Sequence, residues 1–301
     1  METSIAAAGV ILAEKILITG AGGQLGRELL RAAPEDFHCV GLTRAELDIG
    51  DAAAVTELIG REQPAAVINA AAYTAVDRAE DDSEAAHRIN ADGAGNLARA
   101  CQANGARLLH VSTDFVFDGT ASTPYKPEDP TAPLGTYGRS KLAGEEQVLA
   151  AAPRSLIMRT GWVYSAYGAN FVKTMLRLMS ERDSLGVVTD QVGTPTWAQG
   201  LAQSLWQATR QPALAGIYHW SDAGVCSWYD FALAIAEEGE ACGLLAGQPA
   251  INPIPASDYP TPAARPSFSV LDKSASWRDL ELKGIHWRVQ LRAMLQDLKE
   301  L

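Results

Sequence analysis

The chain is predicted to be an α/β protein: a doubly wound parallel sheet with a smaller C-terminal lobe. Three observations predict it. Short apolar runs rich in β-branched residues alternate with helical stretches over roughly the first half of the chain. A glycine trio, Gly20-x-x-Gly23-x-x-Gly26, sits between the first such run and the first helix. Beyond about residue 160 the elements shorten and Gly, Pro and Trp become more frequent. Strand–helix alternation of this kind builds parallel sheets with right-handed crossovers.

Lys15-Ile16-Leu17-Ile18-Thr19 reads as a buried strand. Each glycine after it has a task. Gly20 makes a tight turn, Gly23 lets the backbone approach a pyrophosphate, and Gly26 packs the helix closely on its strand. The N–H groups of the helix start, from Gln24 and Leu25 onward, then face the phosphates. A ligand-free glycine turn is the alternative; the position between strand and helix favours a dinucleotide. Residues 38–42 form the second strand, ending at Thr43 and Arg44. An NAD site would usually place Asp or Glu there, whereas a hydroxyl and a guanidinium suit a 2′-phosphate, which favours NADPH while leaving NADH open. Asp48, before Ile49, either accepts from an adenine amino group or caps the helix over residues 51–62.

Residues 65–69 are the third strand. Its end, Asn69-Ala70-Ala71-Ala72-Tyr73-Thr74, has small residues where open parallel sheets bind ligands. One long helical stretch is predicted over residues 76–104, then a fourth strand at 107–111 ending in Ser112-Thr113-Asp114. These hydroxyls and the carboxylate stand at the ligand crevice or serve as local turn partners. A Pro-rich loop at 119–133, a helix and a fifth strand at 154–159 follow. The remainder reads as helices at 170–180, 198–210, 227–240 and 289–298, a strand at 216–220 and a Pro-rich stretch at 246–269. Ser227 is a natural N-cap. The expected division is an N-terminal extension at 1–14, a Rossmann-type NAD(P)-binding domain at 15–160, and 161–301 as mainly a substrate-binding lobe with segments returning to the sheet.

Tyr137 and Lys141 stand four apart on the helix after Pro133, so they share a face with Cβ atoms roughly 5–6 Å apart. A free tyrosine has a pKa of about 10, so proton exchange near neutrality needs roughly 4 kcal/mol of help. An ammonium about 5 Å away supplies roughly 3 kcal/mol at an effective dielectric near 20. The pair is therefore sized for acid–base work, although an exposed helix pair has the same spacing.

The net charge of −11 and pI near 4.9 argue against a nucleic-acid binder. Cys39, Cys101, Cys226 and Cys242 lack metal-ligand or CxxC spacing and read as reduced thiols of a cytoplasmic protein. The first fourteen residues lack the basic and apolar character of a signal peptide, and no membrane span is predicted.

The motifs together resemble the extended short-chain dehydrogenase/reductase superfamily, and within it the dTDP-4-dehydrorhamnose reductase family. They are Gly20-Ala21-Gly22-Gly23-Gln24-Leu25-Gly26, Asn69-Ala70-Ala71-Ala72-Tyr73-Thr74-Ala75-Val76-Asp77, and Ser112-Thr113-Asp114-Phe115-Val116-Phe117-Asp118-Gly119. Tyr137-Gly138-Arg139-Ser140-Lys141, Arg159-Thr160-Gly161-Trp162, Asn170-Phe171, Asp190-Gln191-Val192-Gly193-Thr194-Pro195-Thr196 and Arg265-Pro266 complete the set. The resemblance implies that Thr113, Tyr137 and Lys141 are catalytic. It puts Gly23, Gln24 and Leu25 on the cofactor, with Asp48, Ile49, Ala71, Ala72 and Tyr73 along its adenine and ribose side. Thr113, Asp114, Tyr137, Trp162, Asn170 and Arg265 are the implied substrate contacts, and Trp162 is otherwise a core residue. Phe115 departs from the family's usual Tyr. Some relatives dimerise around Mg²⁺; Glu28 and Asp297 could supply two carboxylates, but Gln199 stands where a third is expected, so no metal is assigned and a homodimer is left open.

The implied reaction is reduction of the 4-keto group of dTDP-4-dehydro-L-rhamnose by NADPH, or NADH, to dTDP-L-rhamnose. It is the last step of a pathway serving cell-surface polysaccharides. The alternatives are a nucleotide-sugar epimerase or dehydratase that retains NAD⁺, or a non-catalytic NADP-binding regulatory subunit.

Overall fold

The computed structural model describes residues 13–301. Residues 1–12, most of the predicted N-terminal extension, lie outside the described residues. The central sheet contains β1 (Glu14–Thr19), β2 (Phe37–Leu42), β3 (Ala66–Asn69), β4 (Arg107–Thr113), β5 (Leu156–Thr160) and a sixth strand, Gly216–His219. Their spatial order is Gly216–His219, β5, β4, β3, β1, β2, and every neighbouring pair is parallel. The chain moves from β1 to β2 on one side and resumes with β3 on the other. The crevice at the carboxyl ends of β1 and β3 is thus the topological switch point, where such sheets bind ligands.

Alternation along β1 fills both faces. Ile16 and Ile18 meet Leu25 and Leu29 of α1 (Gln24–Arg31) and Leu201, Leu205 and Trp206 of the helix Ala198–Thr209. Leu17 points to the opposite layer. There it joins Val55 and Ile59 of α2 (Ala52–Glu62), Leu97 and Cys101 of α4 (Ala94–Asn104) and Val148 of α5 (Thr136–Ala151). A separate core in the C-terminal part gathers Tyr164, Met175, Phe231, Ile235, Trp287, Leu291 and Met294. The four cysteines are free thiols.

Three local expectations change. The stretch predicted as one helix is divided: a 3₁₀ turn at Arg78–Glu80, α3 (Ser83–His87), a π-helical turn at Arg88–Gly93, then α4. The π turn has a local reason. It places Asn90 to accept from the Tyr73 N–H (2.8 Å) and donate to the Tyr73 carbonyl (3.0 Å) and Ser140 (3.0 Å). Gly93 faces Ile49 so closely that a Cβ would lie 2.7 Å from its Cγ1. Second, Asp51 rather than Asp48 caps α2, accepting from the Ala53 and Ala54 N–H groups. Third, the Pro-rich stretch holds a strand, Ala250–Ile254, paired in parallel with Ser184–Val188. Its partner lies far away in sequence, which local pattern does not reveal.

α5 is clamped between the turn after β4 and the π-helical turn, and is tied to β5. A Cβ at Gly138 would lie 2.3 Å from the Phe115 carbonyl, and one at Gly144 would lie 2.1 Å from the Asn90 carbonyl. Glu145 accepts a two-pronged ion pair from Arg159 of β5, at 2.9 and 2.6 Å, with both side chains almost wholly buried. Breaking such a pair leaves an uncompensated charge in the interior. Glu145→Ala should therefore cost about 3–5 kcal/mol of stability in urea unfolding. A loss below about 1 kcal/mol would contradict the anchoring role.

Candidate active site

A cleft of about 960 Å³ opens along the carboxyl ends of the strands. At one end the β1–α1 turn supplies Gly20, Gly23, Gln24 and Leu25. Gly20 has φ +71°, and a Cβ there would lie 2.6 Å from the Ala71 nitrogen, so only glycine lets this turn meet the β3 loop. A Cβ at Gly26 would lie 2.2 Å from the Gly20 carbonyl; Gly26 thus supports the turn from behind and does not line the cleft. Gly23 is the N-cap of α1 and has no side chain to occupy the first N–H groups.

Thr43, Arg44, Asp48, Ile49, Ala71, Ala72 and Tyr73 continue the wall. The Thr43 hydroxyl donates to Glu46 at 2.7 Å. Asp48 accepts from the Gly50 N–H and from Arg88, at 2.9 and 3.0 Å. Two further predicted contacts are engaged structurally. Asn170 caps the helix Phe171–Glu181 and donates to Gln24 at 2.9 Å while lining the cleft. Arg265 stands apart from the lining residues and is held by both oxygens of Asp77, at 3.0 and 2.8 Å.

At the other end β4 presents Ser112, Thr113 and Asp114 beside Tyr137 and Lys141 of α5. The Thr113 hydroxyl donates to Asp114 at 3.1 Å and accepts from the Phe115 N–H. Phe115 packs edge-on against the Tyr137 ring at 5.6 Å. Burial pushes the Tyr137 hydroxyl up to about 12, with Thr113 opposing and the Asp114 charge adding to the rise. Burial raises Asp114 to about 6. It lowers Lys141 to about 8, against the pull of Glu145. The Lys141 ammonium is turned onto the Val111 carbonyl at 2.6 Å, and its charge does not figure among the causes of the Tyr137 shift. Spacing alone placed the two side chains on one face; it did not show that β4 offers the lysine a closer partner.

Ser112 Oγ and Thr160 Oγ1 are buried without a protein partner, and both residues line the cleft. Buried polar atoms are normally hydrogen-bonded. A glycine cradle at one end and unpaired hydroxyls at the other fit a long polar ligand such as a dinucleotide with a second molecule beside it.

The lobe closes this end with aromatic side chains. Trp162 has φ +50°, a conformation few non-glycine residues adopt. Its indole lies flat on Trp228, with centroids 3.5 Å apart and planes 2° from parallel. Phe171 packs against Trp228 at 4.6 Å. Sequence reading missed Trp228 as a site residue, since it appears there only as the first residue after the Ser227 cap. It also missed His110, whose signal was a histidine in an otherwise apolar central strand.

Glu28 and Asp297, the carboxylates nominated for Mg²⁺, are both taken by Arg31, at 2.9 and 2.5 Å. Buried Glu28 also accepts from Ser165 at 2.7 Å. Among the described residues no helix is long and apolar enough to cross a membrane.

This fold and cleft define a nucleotide-cofactor oxidoreductase of the extended short-chain dehydrogenase/reductase class. Residues 14–300 match the RmlD substrate binding domain family. A dTDP-4-dehydrorhamnose reductase of Aggregatibacter actinomycetemcomitans is 42% identical over 92% of this chain and 97% of its own length. That of Burkholderia thailandensis is 43% identical over 94% and 99%. The crystal structure of the Bacillus anthracis dTDP-4-dehydrorhamnose reductase in complex with NADP has a TM-score of 0.90. It is 35% identical and covers 95% of this chain and all of that one. The chain belongs to the dTDP-4-dehydrorhamnose reductase family.

Gly193 faces the Trp162 indole, where a Cβ would lie 2.5 Å from Cε2. Gly193→Ala should push Trp162 off Trp228 and weaken the near-ultraviolet circular dichroism of the stacked indoles. An unchanged spectrum in the folded variant would contradict this packing.

Proposed function

We propose that this chain reduces the 4-keto group of dTDP-4-dehydro-L-rhamnose with NADPH, giving dTDP-L-rhamnose, and that NADH serves less well. The observation that carries the proposal is the convergence of Thr113, Tyr137 and Lys141 on one end of a cleft whose other end is the Gly20–Gly26 turn. Family membership over nearly the whole chain supplies the substrate class.

The turn and the start of α1 suit the pyrophosphate, and Asp48, Ile49 and Ala71–Tyr73 suit the adenosine half. Arg44 suits a 2′-phosphate. When bound, the reduced nicotinamide supplies the hydride. The chain's own residues handle the proton. Tyr137, raised to about 12, is fully protonated at neutral pH. A sugar alkoxide is a stronger base than a phenolate, so proton transfer from the tyrosine to the new C4 alkoxide, which becomes the product hydroxyl, runs downhill. Thr113 can donate to the same oxygen, and Lys141, held on the Val111 carbonyl at 2.6 Å, would stabilise the remaining phenolate only as an ammonium turned away from that carbonyl.

Tyr137→Phe should lower kcat by about 10²–10⁴. Thr113→Val should lower it clearly but less. The readout is loss of the reduced nicotinamide's near-ultraviolet absorbance, dependent on the sugar nucleotide. Sugar conversion without net cofactor oxidation would indicate the epimerase or dehydratase chemistry. NADPH binding with no turnover would indicate a regulatory subunit. Wild-type turnover in Tyr137→Phe would remove the tyrosine from the mechanism.

A further inference from the structure

His110 lies wholly inside the sheet, one residue before the carbonyl that holds Lys141, and the mechanism above leaves it without a role. Its surroundings determine which ring nitrogen carries the proton. The Ala71 N–H, which can only donate, points at the Asn69 side-chain oxygen at 3.1 Å. The Thr19 hydroxyl donates to the same oxygen at 2.6 Å. The Asn69 amide is therefore oriented with its NH₂ group toward His110 Nδ1, at 2.9 Å. An NH₂ group cannot accept, so Nδ1 carries a lone pair. Burial, then the neighbouring Lys141 charge, hold the ring well below its usual pKa, and it stays neutral. A neutral imidazole accepting at Nδ1 has its hydrogen on Nε2. Nε2 faces Lys141 Nζ at 3.4 Å.

We propose that His110 is a positioning residue that sets the protonation of Lys141: fixed by Asn69 and Thr19 as the Nε2–H tautomer, it turns a hydrogen toward Nζ and favours the uncharged amine. A neutral amine donates to the Val111 carbonyl and accepts from Nε2–H, satisfying both. An ammonium keeps the carbonyl but meets a hydrogen it cannot use. The other groups around Lys141 are Glu145, one turn along α5 and tied to Arg159, and Tyr137 one turn back. Thr113 and Asp114 stand at the end of β4. Glu145 favours the ammonium, and burial works with His110 against it. With the lysine brought to about 8, activity that needs its ammonium falls as pH rises through that value, instead of near the ordinary lysine range.

The use of Lys141 in turnover rests on the proposed reductase activity; the tautomer and the lysine titration do not. Both are read by NMR on the full chain without ligand. The ¹⁵N shifts of His110 should show a protonated Nε2 and an unprotonated Nδ1 throughout the stable pH range. The ¹³Cε shift of Lys141, assigned by its loss in Lys141→Arg, should titrate upward by about one pH unit in His110→Phe, which keeps a ring but no donor. In Asn69→Asp a carboxylate faces Nδ1, the ring hydrogen should move to Nδ1, and the lysine should again titrate higher. The alkaline limb of kcat in any active variant should move with the lysine. An Nδ1–H tautomer in the wild type, or a Lys141 titration that falls or stays in His110→Phe, would overturn the proposal. Should His110→Phe fail to fold, the wild-type tautomer and Asn69→Asp decide. Correct tautomer and titration shifts with no turnover in the wild type would leave the His110 device standing and remove the reductase reading.

Discussion

The buried Arg159–Glu145 pair is the interaction on which the rest of the site depends. It fixes α5 against β5 at one end, while the bare faces of Gly138 and Gly144 bring the helix against the Phe115 and Asn90 carbonyls. Tyr137 and Lys141 project from this helix into the cleft, so their positions are set by packing beneath them. A buried ion pair contributes little net stability over an apolar pair, but losing either partner is costly. That asymmetry suits a device whose task is to keep one helix in one register.

The cleft has two ends of different physical character. The end at the β1–α1 turn is backbone: a glycine turn, the uncapped start of α1 and a run of alanines, which leave room by keeping side chains out. The end at β4 and α5 is a set of polar side chains in tension with their surroundings. Burial drives Tyr137 up and Lys141 down, each toward its neutral form. Such opposed shifts at one locus are a property of reacting sites more than of structural ion pairs. The lobe contributes the aromatic wall, where Trp162 keeps a left-handed backbone conformation and its indole lies flat on Trp228.

Much of this was legible in the sequence because it depends on local pattern. The Gly20–Gly26 spacing, the small residues after β3 and the Tyr137/Lys141 interval each encode a backbone geometry within a few residues. What was not legible depends on distant partners. Asp48 reads equally as an adenine acceptor or as the cap of α2 until the chain path shows it paired with Arg88 and Asp51 capping the helix. Arg265 has the charge of a ligand residue, yet it is engaged by Asp77, which lies 188 positions earlier. The Lys141 ammonium was expected to serve Tyr137 directly, but the Val111 carbonyl and His110, both of β4, are its nearest partners. Trp228 gained meaning only when the lobe folded it onto Trp162.

The central claim is that a hydride moves from a reduced nicotinamide to the sugar carbonyl carbon in this cleft while Tyr137 supplies the proton. NADPH deuterated at the transferable position of nicotinamide C4, incubated with enzyme and dTDP-4-dehydro-L-rhamnose, tests it most directly. Deuterium is expected at C4 of the product sugar, one atom for each cofactor oxidised, by NMR. Product without deuterium at C4, or deuterium retained on a recycled cofactor, would contradict it.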